Sequence, residues 1–296
     1  MRGLIPVLPS APDASHIVAP QSMYPFLLAA RASSHPLLVV TSSSRSSEDL
    51  VNELRELYDD VLEFPAWETL PHERLSPRSD TVAKRIQTLY ALQNKHSINP
   101  IVVTPVRGAI HRIISNLGST PLMKLEIGKE QSLDLLVRHL SSLAYSRTDL
   151  VERRGEFAVR GGIVDLFLPL SNHPIRIDFF GDEIEDLSYF EVSDQRTYAP
   201  VVGSVEIYPC REMLLTPEVK HRAIEVIDKY PAAAEMLEKI SEGIAFEGME
   251  SLIPLLIDET ETLLSRMPAN TQIVFIDYQR IRSRAADLLA TNEEFL

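Results

Sequence analysis

The sequence predicts an α/β fold in which a domain built on a parallel sheet is interrupted by a separate α+β segment. Short continuous apolar runs alternate with helical patterns over the first 120 residues, which is the pattern of buried parallel strands joined by crossover helices. From Glu156 onward the apolar period falls to two, which indicates an antiparallel meander. A late continuous apolar run, Gln272–Asp277, resembles the early strands and indicates a return to the first sheet. The predicted parts are residues 1–120, 121–209 and 210–296, and the first and third of them form one domain.

The first part is predicted from alternating strands and helices. The strands are His16–Ala19, Leu37–Thr41, Val61–Phe64 and Ile101–Thr104, and the helices are Gln21–Ala32, Glu48–Leu57, Thr81–Leu92 and Val106–Leu117. The run Leu37–Thr41 is apolar almost throughout, as expected of a strand buried on both faces. The helix that begins at Glu48 has its leucines at helical spacing, and Asp80 caps the third helix. The loop Pro65–Ser79 is rich in proline and contains Trp67.

The second and third parts have different patterns. In the second part the strands are Leu122–Ile127, Glu156–Phe167, Ile175–Phe180 and Glu183–Val192, and the helix is Ser132–Ala144. The pair Gly161–Gly162 is interpreted as lying inside one strand, and Gly181–Asp182 as a tight turn. In the third part the helices are Pro217–Lys229, Ala232–Ser241, Leu252–Glu259 with a continuation to Leu264, and Gln279–Leu289.

Composition excludes several classes of function. The net charge is −13, whereas a protein whose main partner is nucleic acid usually needs clustered Lys and Arg. A single cysteine, Cys210, excludes a disulfide framework and a cysteine-rich zinc site. The sequence contains neither a signal peptide pattern nor an apolar run long enough to span a membrane. We therefore expect a cytoplasmic protein without disulfides or membrane contact.

A parallel sheet suggests a nucleotide site, so the phosphate-binding loop is the first motif to test. Such a loop needs glycines for close backbone approach and a lysine that reaches the phosphates. The connection Ala19–Met23 contains neither residue type. The first lysine is Lys84, and Gly3 is the only glycine before Gly108. The sequence therefore predicts a domain without a Walker A loop and without a nucleotide cofactor.

Two sets of acidic residues could have either a functional role or an ordinary structural one. Asp277 follows an apolar strand, where a Walker B acid would lie, but Tyr278 stands where a glutamate usually follows. We favour a cap on the next helix. Glu183, Glu185 and Asp186 could together bind a metal ion, but a solvated hairpin edge explains them better. No catalytic or metal-binding residue is predicted.

Three stretches carry a family signature. They are Phe64–Pro77, then Tyr145–Asp149 with Arg154–Phe167, and then Arg176–Ile184 with Asp194–Thr197. Together they resemble the N-terminal module of the bacterial transcription-repair coupling factor family, Mfd. That module is similar to the first half of the excision-repair protein UvrB. The resemblance covers essentially the whole chain.

The resemblance implies a RecA-like fold in two sequence parts, with an inserted domain. It also implies a non-catalytic module that recruits the damage-recognition protein UvrA to DNA damage at stalled RNA polymerase. The resemblance implies that the family's ATP-dependent motor, and its contacts with RNA polymerase and DNA, lie in domains outside this chain. The resemblance further implies that the C-terminal part of the full-length protein masks the UvrA surface until activation.

The family's docking residues fall on Arg160, Arg176 and Phe180, and all three match. The physical pattern agrees with this assignment. In the strand Ile175–Phe180 the three large apolar side chains at alternate positions share one face, which belongs in the core. Arg176 and Phe180 therefore lie on the other face, and arginine beside an exposed aromatic residue is typical of an interface hot spot.

Two alternatives stay open at this point. Arg176 could pair only with Asp178 along its strand while Phe180 packs under the following turn. The chain could also be a UvrB-like ATP-dependent DNA-damage-binding enzyme, although the phosphate loop is missing. UvrB has a tyrosine-rich hairpin, whereas the loop Pro65–Ser79 has Trp67 as its single aromatic residue. We expect Trp67 to anchor this loop to the core.

Overall fold

The computed structural model of the protein describes residues 16–69, 75–94 and 98–294. The N-terminal run Met1–Ser15 and the residues Leu70–Arg74 of the first signature stretch lie outside the described residues. By proximity of Cα atoms the chain divides into two compact units. The first unit consists of Met1–Ala66, Thr88–Ser119 and Thr260–Leu296, and the second unit consists of Trp67–Gln87 and Thr120–Glu259.

The strands and helices of the described residues are as follows. The strands are β1 Leu37–Thr41, β2 Val61–Glu63, β3 Ile101–Pro105, β4 Ile113–Ile114, β5 Met123–Leu125, β6 Ser146–Arg147, β7 Glu156–Arg160, β8 Ile163–Leu166, β9 Ile175–Phe180, β10 Glu183–Phe190, β11 Thr197–Pro200, β12 Val205–Ile207, β13 Thr260–Glu261 and β14 Gln272–Phe275. The α-helices are α1 Tyr24–Ala32, α2 Ser44–Arg55, α3 Ser79–Gln93, α4 Val106–Ile110, α5 Leu133–Ser142, α6 Pro217–Val226, α7 Ala234–Glu242, α8 Ile253–Leu256, α9 Leu263–Arg266 and α10 Tyr278–Glu294. Among these helices, none combines the length and the apolar composition that a membrane crossing requires.

The first unit is built on a four-stranded parallel sheet with the strand order β14-β1-β3-β2. Strands β1 and β3 are buried along their whole length, as their continuous apolar sequences predict. Helix α2 begins after Ser43, whose side chain accepts a hydrogen bond from the backbone N–H of Ser46. Strand β14 pairs in parallel with β1, so the predicted return of the last strand to the first sheet is confirmed.

Three strands or helices predicted in the first and third parts of the sequence are wrong. The predicted strand His16–Ala19 is irregular and mostly exposed, because no neighbouring strand pairs with it in the described residues. The predicted helix Val106–Leu117 ends at Ile110, and the predicted helix Leu252–Leu264 is broken after Leu256. The last two errors have one cause. The short strands β4 and β13 pair antiparallel with each other, and this long-range pairing overrides the local helical pattern.

The second unit contains a six-stranded mixed sheet with the order β11-β10-β9-β8-β7-β6. Strands β7 to β11 form the predicted antiparallel meander, and β6 adds to β7 in parallel. One face of the sheet packs on helix α5, because the apolar positions of both elements lie on facing sides. The core residues that they contribute include Leu136, Leu140, Phe157, Val164, Leu166, Ile175, Ile177 and Leu187.

The predicted single strand Glu156–Phe167 is in fact the hairpin of β7 and β8. Arg160 lies opposite Ile163, and Gly161–Gly162 forms the two-residue turn between them. Gly161 has φ +60°, a left-handed conformation that glycine adopts at little cost. A two-glycine turn between two apolar runs is a hairpin signal, so this element was predictable.

Helices α6, α7 and α8 belong to the second unit by Cα proximity, whereas the predicted third part combines residues 210–259 with the parallel sheet. Proximity of Cα atoms does not test which segments fold as domains. The division into parts 1–120, 121–209 and 210–296 therefore stays a prediction.

Candidate functional site

The face of the six-stranded sheet that turns away from the α5 core carries the residues predicted as a site. The isoleucines of β9 are buried in the core, so Arg176 and Phe180 lie on the opposite face. Asp165 of β8 is directly opposite Arg176, and the β7–β8 register brings Arg160 to the same face. We call Arg160, Asp165, Arg176 and Phe180 the sheet-face patch. The structure therefore brings all three predicted residues to one face and adds a carboxylate.

The two arginines of the patch share that carboxylate. Arg176 donates from Nε and Nη2 to the two oxygens of Asp165, at 2.7 and 2.9 Å. Arg160 donates from Nη2 to Oδ2 of the same Asp165. The Asp165 side chain is only 1% exposed, so it depends on these donors for its hydrogen bonds. The hydrogen bonds that Arg176 donates to Asp165 raise the pKa of Arg176 above its ordinary value, although burial opposes this.

Arg176 has further contacts on the side away from Asp165. Its Nη1 donates to the backbone oxygen of Gln195 at 3.2 Å, and its guanidinium lies 5.1 Å from the ring centroid of Phe190. Gln195 lies in the β10–β11 turn with φ +61°, and its Nε2 donates to Val192 O and Val151 O. The turn is therefore held in a shape that presents a carbonyl to Arg176.

Phe180 is the most exposed member of the patch. It is the last residue of β9, before the Gly181–Asp182 turn, and 77% of its surface is accessible. The alternative in which it packs under that turn is therefore wrong. The alternative in which Arg176 pairs only with Asp178 along its own strand is wrong as well, because the guanidinium binds Asp165 across the sheet.

Between Arg176 and Phe180 on β9, the same face carries a carboxylate, and a second one lies across from it on β10. Asp178 of β9 lies opposite Asp186 of β10. Burial raises the pKa of Asp178, Arg176 opposes this, and Asp186 and other nearby carboxylates add to it. In the part of the chain that the structure describes, no group of three or more side chains is arranged to hold a metal ion.

Asp277 and Trp67, the other two residues considered in the sequence analysis, both form hydrogen bonds. Asp277 precedes α10, and its Oδ1 accepts from the backbone N–H of Arg280 at 3.5 Å, which favours the cap interpretation. The Nε1 of Trp67 donates to Oε1 of Glu212 at 2.9 Å. The same oxygen accepts from buried Arg85, so Trp67 anchors its loop as expected.

Sequence reasoning missed Asp165, Phe190 and Gln195. Asp165 was detectable, because a hairpin at the glycine pair would have placed it on the face of Arg160. Phe190 and Gln195 reach Arg176 from the far end of β10, and no sequence pattern indicated that contact.

The geometry defines a class of module, namely a mixed sheet that presents a charged and aromatic face. Comparison with known proteins shows the family to which this module belongs. Residues 123–213 match the family model described as the UvrB interaction domain, and this range includes the entire six-stranded sheet.

Longer matches extend over nearly the whole chain. The transcription-repair-coupling factor of Mycobacterium tuberculosis (strain CDC 1551 / Oshkosh) is 41% identical over 96% of this chain and 24% of its own length. The Bacillus subtilis (strain 168) factor is 28% identical over 90% of this chain and 24% of its own length. The Escherichia coli (strain K12) factor is 32% identical over 81% of this chain and 21% of its own length. The chain therefore belongs to the transcription-repair coupling factor family, as its N-terminal UvrB-like module, and spans about a quarter of the length of these relatives.

Proposed function

We propose that this chain is a non-catalytic docking module that recruits UvrA through the sheet-face patch. The observation that supports the proposal most is the position of Phe180, an exposed aromatic side chain on the same face as two arginines that share one carboxylate. Aromatic residues and arginines are enriched among the residues that contribute most to protein–protein binding.

The energetics favour a partner on this face. An exposed phenylalanine gains about 1.5–3 kcal/mol when a partner buries it completely. The arginine pair adds a cationic group whose geometry is fixed before binding, which lowers the entropy cost of association. Apolar and charged contacts are thus side by side, as in a hot spot surrounded by a polar rim.

The test is a calorimetric titration of this chain with UvrA. We expect Phe180→Ala and Arg160→Ala each to weaken binding by about 2–4 kcal/mol, or about 30-fold to 1000-fold. Phe26→Ala and Arg222→Ala are the matched controls, because Phe26 is 41% exposed in the first unit and Arg222 forms ion pairs on helix α6. Both controls should bind UvrA like the unmodified chain.

The variant that combines Arg176→Ala with Phe180→Ala gives the decisive result. If it is folded and binds UvrA with unchanged affinity, the proposed surface is wrong. An ATP titration distinguishes the docking module from a UvrB-like enzyme, since the connection before α1 has neither glycine nor lysine. We expect no saturable ATP binding by this chain.

In the wider proposal, the first unit is a RecA-like domain without a phosphate loop, and the motor that displaces RNA polymerase lies outside this chain. The C-terminal part of the full-length protein masks the sheet-face patch until activation. The affinity of UvrA for this chain should then exceed its affinity for the full-length protein. Equal affinities would contradict masking and leave docking intact.

A further inference from the structure

We infer that Asp165 is the positioning residue of the sheet-face patch, and that Arg176 acts with it as support while Arg160 and Phe180 make the contacts with the partner. The inference rests on the proposed function, because it concerns how the patch binds UvrA. It assigns a role to a buried side chain that no partner needs to touch.

The two arginines differ in how many of their guanidinium nitrogens already donate hydrogen bonds within the chain. Arg176 uses all three guanidinium nitrogens, two for Asp165 and one for Gln195 O, and its side chain is 19% exposed. Its flat face is also occupied by Phe190. Arg160 uses one nitrogen for Asp165, and its side chain is 48% exposed. Because a guanidinium has five N–H donors, Arg160 retains donors for a partner and Arg176 retains few.

Asp165 determines the position of both groups. It lies on the central strand β8 between the strands of the two arginines. Its bidentate bonds with Arg176 fix the carboxylate plane, and that plane in turn orients Arg160. Two guanidinium groups this close would repel each other without the carboxylate between them.

The arrangement also indicates the chemistry of the partner's contact. The net charge of the face does not select the partner, because Asp178 and Asp186 offset the two arginines, so the argument rests on hydrogen-bond donors. The free donors of Arg160 favour a carboxylate, which can accept two parallel hydrogen bonds from one guanidinium. We therefore expect an Asp or Glu of UvrA at Arg160, beside an apolar pocket that receives Phe180.

The first experiment is a titration of Asp165→Asn with UvrA. The substitution keeps the shape of the side chain and removes its charge. We expect at least a tenfold loss of affinity, although Arg160 and Phe180 are unchanged. The matched control is Asp178→Asn, which removes a neighbouring carboxylate from the same face and breaks no hydrogen bond to an arginine in the described residues. An equal loss in both variants would indicate a general charge effect and overturn the positioning role.

A double-mutant cycle separates positioning from a merely structural role. Asp165→Asn is introduced both into the unmodified chain and into the variant Arg160→Gln/Arg176→Gln. If Asp165 acts through the arginines, its substitution adds less than a twofold loss in the second background. A full further tenfold loss there would show that Asp165 acts independently of them and would overturn the inference.

Lysine substitutions keep the inference falsifiable if Asp165→Asn does not fold. Arg176→Lys keeps the charge but cannot bind Asp165 through two parallel bonds, so we expect at least a tenfold loss. Arg160→Lys also loses the two parallel bonds that we expect with the partner's carboxylate, so its loss should be of the same order. A loss below twofold for Arg176→Lys would overturn the supporting role of Arg176 and Asp165. If the alanine variants of Arg160 and Phe180 bind UvrA normally, the proposed function itself fails. If those variants bind weakly but Asp165→Asn binds normally, only this inference fails.

Discussion

Arg85 of helix α3 and Glu212 form an ion pair in the second unit. Both side chains are almost fully buried, and Arg85 Nε donates to Glu212 Oε1. Trp67 Nε1 donates to the same oxygen at 2.9 Å. The perturbation is Arg85→Met, which keeps much of the side-chain volume and removes the positive charge.

Removal of Arg85 leaves the Glu212 carboxylate buried without its cation. Breaking one partner of a buried ion pair typically costs about 3–5 kcal/mol, because the remaining charge is not solvated. Trp67 still donates one hydrogen bond to Glu212, so we expect the lower part of this range, about 3 kcal/mol. The second variant, Arg85→Met with Glu212→Gln, removes the uncompensated charge and should recover more than half of the loss.

Chemical unfolding in urea measures both variants. Trp67 is the only tryptophan of the chain, so its fluorescence reports on this cluster while circular dichroism reports on the helices. A loss below about 1 kcal/mol for Arg85→Met would refute the reasoning, since an unpaired buried charge ordinarily costs several times more than that. So would a double variant that is no more stable than the single one.

Other stability predictions concern a thiol and two glycines. Burial raises the pKa of Cys210 to about 12, whereas the unfolded thiol titrates at about 8.5. The stability that this difference contributes is present below about pH 8.5 and is lost as the pH rises towards 12, by up to about 5 kcal/mol, so Cys210→Ala should show a flatter dependence in unfolding measured from pH 8 to 11. Gly118 has φ +78°, and an added Cβ would lie 2.9 Å from atoms of Leu89 and Tyr90. Gly118→Ala should therefore lower the free energy of unfolding in urea by about 2–4 kcal/mol, and a decrease under about 1 kcal/mol would contradict this. Gly161 has φ +60° and open space around it. In thermal unfolding, Gly161→Asn should therefore lower the midpoint temperature less than Gly161→Val, and equal decreases would argue against a left-handed turn.

Much of the fold was predictable because its signals are local. The apolar runs of β1 and β3 indicate burial on both faces, and β14 carries the same signal far along the chain. The alternation in β9 placed Arg176 and Phe180 on one face. The segment His16–Ala19 has a short apolar run like those of the other strands, so a strand is predicted there. It is not a strand, because it has no partner strand in the described residues. Local pattern indicates that a segment can be a strand, and only pairing makes it one.

By itself, the sequence determined the class of fold, the lack of glycine and lysine in the connection Ala19–Met23, and the two-residue periodicity that exposes Phe180. The tertiary structure alone decided that Asp165 lies between the two arginines and that a turn carbonyl from Gln195 holds Arg176. Periodicity depends on neighbours along the chain, so it can be read from sequence. The sharing of one carboxylate depends on the register of three strands, and that register is set by how the buried faces of the whole sheet pack.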